Sequence, residues 1–342
     1  MSVNITAGGL FIISLDFELM WGVRDLQTLE SYGINIQGVR KALPAMLDLF
    51  AEYDIHASFA TVGLLMCRNK KELYQHIPSI LPDYNLNKYS PFANNYLSTV
   101  GQSEEDDIFH YGPSLVQMIL SDPRHEMGSH TFSHYYCLEN ASLQSFEADV
   151  VSMLAIAKTY GLDIRTIIFP RNQYSQEHIN ICSRYGICSY RGNEKSFIYQ
   201  PRKNTEQSPV IRMLRLFDAY INISGHNTFN IYYPSDQLMV NIPSSRFLRP
   251  YSPGLRLLEP LRLRRIKNSM TYAARNDQAY HLWWHPHNFG VNLKENILFL
   301  KKVLQHFKFL QQQYGMKSMN MKEIAEGLLI KHEGQKSSIA GR

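Results

Sequence analysis

The run Leu10-Phe11-Ile12-Ile13-Ser14-Leu15 is apolar almost throughout and stops at Asp16-Phe17-Glu18-Leu19-Met20-Trp21-Gly22. A strand of that composition is buried on both faces, the situation of a parallel sheet covered by helices. The segments that follow fit such a sheet. From Gln37 to Tyr53 apolar residues (Val39, Leu43, Met46, Leu47, Phe50) return at helical spacing, and Pro44 bends this helix or delays its start. Residues 55–62 read as a second strand, and strand, helix, strand at this distance makes a βα unit. Further strands are expected at 125–128, 164–169, 187–190 and 278–284. Helices are expected at 142–160, with Ser142 as N-cap and Gly161 at its end, and at 176–185 and 293–314, and a final segment at 316–330 completes the ring of elements.

Two stretches are less regular. Residues 64–122 carry Pro78, Pro82, Pro91 and Pro113 among many Asn and Tyr, and read as an insertion of short helices and loops; Glu104-Glu105-Asp106-Asp107 is expected to open one of the helices. Residues 195–277 form a second insertion. No Pro/Gly/Ser-rich linker divides the 342 residues, so 1–332 are expected to form one domain and 333–342 a disordered tail. The cysteines Cys67, Cys137, Cys182 and Cys188 lack the spacing of a structural zinc site and fit reduced, packed thiols. Without a charged n-region or an unbroken apolar span, neither a signal peptide nor a membrane helix is expected, and the location expected is cytoplasmic. A net charge of +5 with no recognition motif argues against a nucleic-acid partner.

Polar residues recur just past the apolar strands: Asp16 and Glu18, His130 and His134, Arg171, Arg191, then His285 and His287. In barrels of alternating strands and helices, that end is where catalytic groups from different strands converge. His130 and His134 stand four positions apart, a spacing that can point both rings at one metal ion; a buried or solvated pair is the plain alternative. Asp16 and Glu18 share a face of an extended chain, and two carboxylates there are costly unless paired, hydrogen-bonded or on a metal. His281, Trp283 and His285 likewise share one side, and His287, followed by Asn288, is read as structural.

Ser14-Leu15-Asp16-Phe17-Glu18 resembles the first motif of the polysaccharide deacetylase (NodB-homology) superfamily, in the variant with one residue between the two acids. His125-Glu126-Met127-Gly128-Ser129-His130-Thr131-Phe132-Ser133-His134 resembles its metal-binding motif almost throughout, and His285 is similar in position to its general acid. The resemblance, over about residues 8–330, implies an α/β fold, a distorted, incomplete (β/α) barrel with a helical and loop insertion. It implies a divalent metal, most often zinc, held by one acid and two His, and removal of acetyl groups from N-acetyl sugars. By analogy Asp16 is the base, Glu18, His130 and His134 are the metal ligands, His285 is the acid and Arg171 the partner of Asp16. The acid spacing leaves the roles of Asp16 and Glu18 exchangeable, and the third motif departs from the family order, reading Pro170-Arg171-Asn172 with no Gly.

Trp21, Trp283 and Arg191 are the candidate substrate contacts, an aromatic face suiting the apolar side of a sugar ring. The substrate expected is an N-acetylated sugar or glycan, nucleotide- or lipid-linked, in surface polysaccharide synthesis. A non-sugar C–N bond, as in allantoinase-like members, and an inactive glycan-binding barrel are the alternatives. Residues 246–267 hold Arg246, Arg249, Arg256, Arg262, Arg264, Arg265 and Lys267 against Glu259 alone. Interleaved with leucines, they suit an anionic membrane surface or phosphate groups, or else form a solvated basic face.

Overall fold

In the computed structural model, which describes residues 7–199, 209–231 and 238–340, β1 (Leu10–Phe17) is buried at every position. The other strands are β2 (Ala57–Thr61), β3 (Glu126–Ser129), β4 (Thr166–Ile167), β5 (Ser189–Tyr190), β6 (Val240–Asn241), β7 (Arg246–Phe247), β8 (Ala279–Trp284) and β9 (Lys317–Ser318). They run in the order β6-β5-β4-β3-β2-β1-β8-β7, with β9 beside β1, and every pairing is parallel. The end strands β6 and β7 follow one another in the chain. Residues 242–245 between them cross the seam, Ser244 N–H donating to Gly192 O (2.9 Å) and Ser245 N–H to His281 O (2.8 Å). The sheet therefore curls into an incomplete barrel whose gap is bridged by one extended segment.

The helices are α1 (Leu29–Tyr53), α2 (Gly63–Met66), α3 (Lys70–Gln75), α4 (Tyr96–Thr99), α5 (Pro113–Leu120), α6 (Leu143–Lys158), α7 (Gln176–Arg184), α8 (Pro209–Asp218), α9 (Glu259–Arg275), α10 (Leu293–Tyr314) and α11 (Met321–Ala340). α1 begins well before Gln37, at a Thr28/Ser31 capping box, and takes Pro44 into its interior. An interior proline costs about 3 kcal/mol. The helix buries Ile36, Val39, Leu43, Met46, Leu49 and Phe50, and burial of each such side chain contributes about 1.5–3 kcal/mol, so packing wins.

The structure corrects four expectations. Residues 195–277 are not simply an insertion, for they supply β6, β7 and α9 to the barrel; strands of two residues leave no periodicity to read. Glu104-Glu105-Asp106-Asp107 opens no helix: Asp106 accepts the N–H groups of Gln102 and Ser103, and Asp107 that of Gly101. Side-chain acceptors of this kind stabilise a turn in competition with a helix. The basic segment is no continuous solvated stripe. Arg262 is buried over the Phe299 ring (3.8 Å) and pairs with Glu259, while Arg246 and Arg265 are buried against Asp218. Finally, α11 continues through Ala340 where a disordered tail was expected, residues 341–342 lying outside the described residues. No helix among the described residues is long and apolar enough to cross a membrane.

α1 rests on the turn after β8 with backbone against backbone. A Cβ at Gly38 would stand 2.1 Å from the carbonyl oxygen of Gly290, and one at Gly290 would stand 2.0 Å from that of Asn35. Neither contact can be relieved by rotating a side chain. Gly38→Ala should therefore cost about 1–3 kcal/mol as overpacking, read as a lower urea midpoint at unchanged m-value. An unchanged midpoint would show that the helix can step back freely.

Candidate metal and catalytic site

β1 ends at Phe17, and the chain drops into a 3-10 turn, Leu19–Gly22, with Leu19 at φ +48°. The Glu18 side chain folds back over Gly22, where a Cβ would lie 2.0 Å from the Glu18 carboxyl carbon and displace that carboxylate. Glu18 is 3% exposed. Its Oε2 lies 3.1 Å from His134 Nε2 and 3.4 Å from His130 Nε2, and its Oε1 lies 3.6 Å from His285 Nε2 and 3.9 Å from His287 Nδ1. One carboxylate thus meets four imidazoles brought by the ends of β3 and β8. Burial would raise its pKa, but His285 and the hydrogen bonds of His130 and His134 hold it well below the usual range.

The two histidines of the sequence motif sit in a loop after β3. His130 N–H donates to Thr61 O (2.9 Å), and its ring Nδ1 meets Ile168 O at 2.8 Å. A carbonyl partner there places the ring proton on Nδ1 and leaves the Nε2 lone pair facing Glu18. The loop turns through left-handed Thr131 (φ +63°) and His134 (φ +59°). It is pinned by Asp149 on α6, which accepts the N–H groups of Phe132 (2.6 Å) and Ser133 (3.1 Å) and the Ser133 hydroxyl. Burial pushes the Asp149 carboxyl up to about 6 against these bonds.

Asp16 lies on the same face of β1 and is paired differently. Arg191, just past β5 and wholly buried, binds it with both nitrogens: Nη1 to Oδ1 at 2.7 Å and Nη2 to Oδ2 at 2.8 Å. The guanidinium also donates to Asn172 Oδ1 (2.9 Å) and Ser14 Oγ (3.0 Å), and stacks 4.1 Å from the Trp283 ring. Ser14 Oγ in turn meets His281 Nε2 (2.8 Å), whose Nδ1 meets Pro243 O (3.1 Å). Burial would raise Asp16, but Arg191, with His130 and His285, lowers it.

The expected roles of two arginines are therefore redistributed. Arg171 does not reach Asp16; it pairs with Asp25, lies 3.7 Å from Glu139 and stacks over Tyr136 (3.8 Å). The chain is left-handed at Arg171 (φ +56°) and Asn172 (φ +53°), so Asn172 is what this turn offers to the Asp16 pair. Arg191, expected on the substrate, is consumed by Asp16. Trp21 is no substrate contact either: it is wholly buried, its Nε1 donating to His110 O (2.7 Å) and its ring packed on His110 and Tyr96.

Trp283 does line the cavity, as do Asp16, Glu18, His130, His134 and His285. The cavity has a volume of about 500 Å³. His285 Nδ1 faces Asn288 Oδ1 (3.3 Å), which turns its Nε2 toward Asp16 Oδ2 (3.8 Å) as well as Glu18. His287 is buried and stacked on His285 at 4.8 Å, with burial depressing it to about 3. Read from the sequence as structural, it completes a second candidate ligand set. Glu18/His130/His134 and Glu18/His285/His287 each bring three ligand atoms within 4.8 Å of one another. A carboxylate with neutral imidazoles, one fixed in tautomer by a carbonyl, is a donor set suited to a divalent cation such as zinc.

Residues 35–189 match the family model for polysaccharide deacetylases, bearing out the resemblance read from the motifs; Asp16, Glu18, Arg191 and His285 lie outside the matched span. No curated protein matches the chain. Among solved structures, a Mycobacterium smegmatis protein assigned as a polysaccharide deacetylase is 10% identical, with 97% of this chain and 94% of that one covered and a TM-score of 0.57. A Pseudomonas aeruginosa PAO1 protein with the same assignment is 9% identical (94% and 91% covered, TM-score 0.56). Puue allantoinase is also 9% identical (95% and 91% covered, TM-score 0.54). At such identities the likeness is one of fold, the distorted, incomplete (β/α) barrel of deacetylase type.

Asp149 touches no ligand atom, yet the geometry of the His130–His134 loop rests on it. Asp149→Ala leaves two buried N–H groups without an acceptor, at about 1–3 kcal/mol each. Metal affinity should fall about 10–100-fold, as for other residues that orient ligands. Titration against a competing chelator reads this directly, and an affinity equal to the parent protein's would show that the loop holds itself.

Proposed function

We propose that the chain is a metal-dependent hydrolase that removes the acetyl group from an N-acetylated sugar. The observation that carries this reading is the meeting, in one cavity, of the Glu18/His130/His134 set, the Asp16–Arg191 pair and His285. Glu18, His130 and His134 would hold the cation, with zinc the best fit to the donors. When bound, such a cation lowers the pKa of water and polarises an amide carbonyl.

The remaining chemistry belongs to the chain. Asp16, kept ionised by Arg191, takes a proton from the water that adds to the acetamide carbon. Arg191 fixes the carboxylate bidentately and is itself fixed by Asn172, Ser14 and the Trp283 face, so Asp16 needs no reorganisation as the proton arrives. As the C–N bond breaks, the departing nitrogen takes a proton from His285, and acetate and a free amino sugar leave. Trp283 and Phe247, 4.8 Å apart on the cavity wall, offer an apolar surface to a sugar ring.

The unorthodox third motif, which left room for an inactive glycan-binding barrel, is compensated by Arg191, and this supports turnover over binding alone. A role in surface polysaccharide synthesis within the cytoplasm is part of the proposal; the four cysteines, all free and buried, are compatible with a reducing compartment.

Two experiments test the assignments. Glu18→Gln and His130→Ala should lose both bound metal and acetate release from N-acetylglucosamine oligomers, whereas Asp16→Asn should keep the metal and lose about 10²–10⁴-fold in turnover. Metal retained by Glu18→Gln but lost by Asp16→Asn would exchange the two acids. The second is a pH profile. Asp16 acts ionised, so kcat/KM declines as pH falls through its lowered pKa. Arg191→Met removes the charge that lowers it, so the acid limb moves to higher pH, while the unpaired carboxylate destabilises the fold by about 3–5 kcal/mol. A limb that stays in place would remove Asp16 from the base role.

A further inference from the structure

We propose that the wall of the cavity built from β7, the chain just beyond it and α8 is an anion subsite, which receives a phosphate or carboxylate carried by the N-acetyl sugar. The inference rests on the deacetylase reading and adds a charged substrate class to it. Arg215, Arg246 and Arg249 line the same cavity as Glu18 and the histidines.

Arg246 is 4% exposed. Its Nη1 donates to Asp218 O (3.0 Å) and its Nη2 lies 3.1 Å from Asp218 Oδ2, but its Nε donates to no group among the described residues. Asp218 is one carboxylate facing two guanidinium groups, and its oxygens also accept from Ile223 N (2.9 Å), Ser224 N (2.7 Å), Ser224 Oγ (2.8 Å) and Tyr199 OH (2.8 Å). Two carboxylate oxygens offer about four lone-pair directions, so Asp218 is fully engaged and its single negative charge is shared between Arg246 and Arg265. Arg265 faces the same carboxylate at 3.5 Å. The side chain of Arg249, half-buried, forms no ion pair or hydrogen bond with any described residue.

Glu194 is the other acid on this side of the cavity. Arg246 and Arg249 thus face the cavity beside Glu194, while Asp218 and Arg265 stand behind Arg246 outside its lining. Like charges gathered in a cavity are repulsive until a counter-charge arrives, and planar guanidinium forks match the oxygens of phosphate or carboxylate. A neutral sugar would use none of this. Phe247 follows Arg246 directly, and its ring stands 5.9 Å from that of His285 and 4.8 Å from that of Trp283. An apolar face is therefore interposed between the guanidinium groups and the proposed acid, and a sugar ring laid on it would point its anionic substituent at Arg246 and Arg249.

The test compares acetate release by the metal-loaded enzyme from N-acetylglucosamine, N-acetylglucosamine 1-phosphate and N-acetylglucosaminuronic acid, in parent, Arg249→Gln and Arg249→Lys proteins. One anionic sugar should exceed the neutral one in kcat/KM by about 10–100-fold, the worth of a charge-assisted contact, and the better of the two identifies phosphate or carboxylate as the source. Arg249→Gln should collapse that ratio toward one, and Arg249→Lys should keep part of it. Calorimetric binding of the same three sugars gives a readout independent of turnover. Equal kcat/KM for all three sugars with no effect of Arg249→Gln overturns the subsite and leaves the hydrolase reading standing. Absence of acetate from every sugar, with preferential binding of an anionic one that Arg249→Gln abolishes, keeps the subsite and overturns the hydrolase. Neither release nor preferential binding overturns both.

Discussion

The carboxylate of Glu18 has been taken out of water without being given a permanent cation. Burying an ion of this kind costs several kcal/mol unless charge is brought to it. The neighbours it has are imidazoles, and burial makes two of them poor carriers of charge: His287 is depressed to about 3, and His134 is lowered as well. Asp16, two residues earlier on the same strand face, has the bidentate guanidinium of Arg191. The contrast distinguishes the two acids physically. Asp16 is electrostatically complete, can remain a free carboxylate and can exchange a proton. Glu18 has only imidazoles about it, the donor set that suits a divalent cation.

The same region stores backbone strain. Leu19, Thr131, His134, Arg171 and Asn172 all adopt left-handed φ values just beyond strand ends, and each such residue costs on the order of 1–3 kcal/mol. The barrel resists relaxation because each turn is tied to a rigid element: the His130–His134 loop to α6 through Asp149, and Asn172 to Arg191 and so to β1. α1 and the turn carrying His287 press together at Gly38 and Gly290 with no side chain between them. Imidazoles from two strand ends are held around one carboxylate by elements whose own burial stabilises them, which is what a preorganised site requires.

The barrel was legible because its central strands have no wet face. β1 and β8 and the helices α1, α6, α7 and α10 follow directly from apolar runs and helical spacing, and the His130/His134 pair from its own spacing. Two-residue strands were not legible, and so β6 and β7 were hidden in what looked like an insertion. Charge misled wherever partners were distant in sequence. Arg246 and Arg265 look like part of a basic surface until Asp218, far from them in the chain, is seen to bury them. Trp21 lies beside Glu18 in sequence, but one step along a 3-10 turn aims it into the core. Asp149 and Gly22 carried no signal, since a carboxylate that accepts backbone N–H groups and a glycine that makes room for a neighbour are defined only by what folds onto them.

The position of Arg191 bears on how such a site can vary. What Asp16 needs is a fork-shaped cation within reach of two oxygens, and the strand that delivers it is immaterial. In a curled parallel sheet the ends of adjacent strands open onto one interior, so a residue leaving β5 can reach a carboxylate on β1 as readily as one leaving β4. The turn after β4 directs Arg171 onto Tyr136 and Asp25, and the place beside Asp16 is taken by a guanidinium from the next strand end, itself held by Asn172 of the same turn. At Pro170-Arg171-Asn172 the cation beside Asp16 therefore comes from the next strand end rather than from this turn. The buried, bidentate geometry of Arg191 shows that the demand for a cation beside Asp16 is met, even though no residue in the altered motif supplies it.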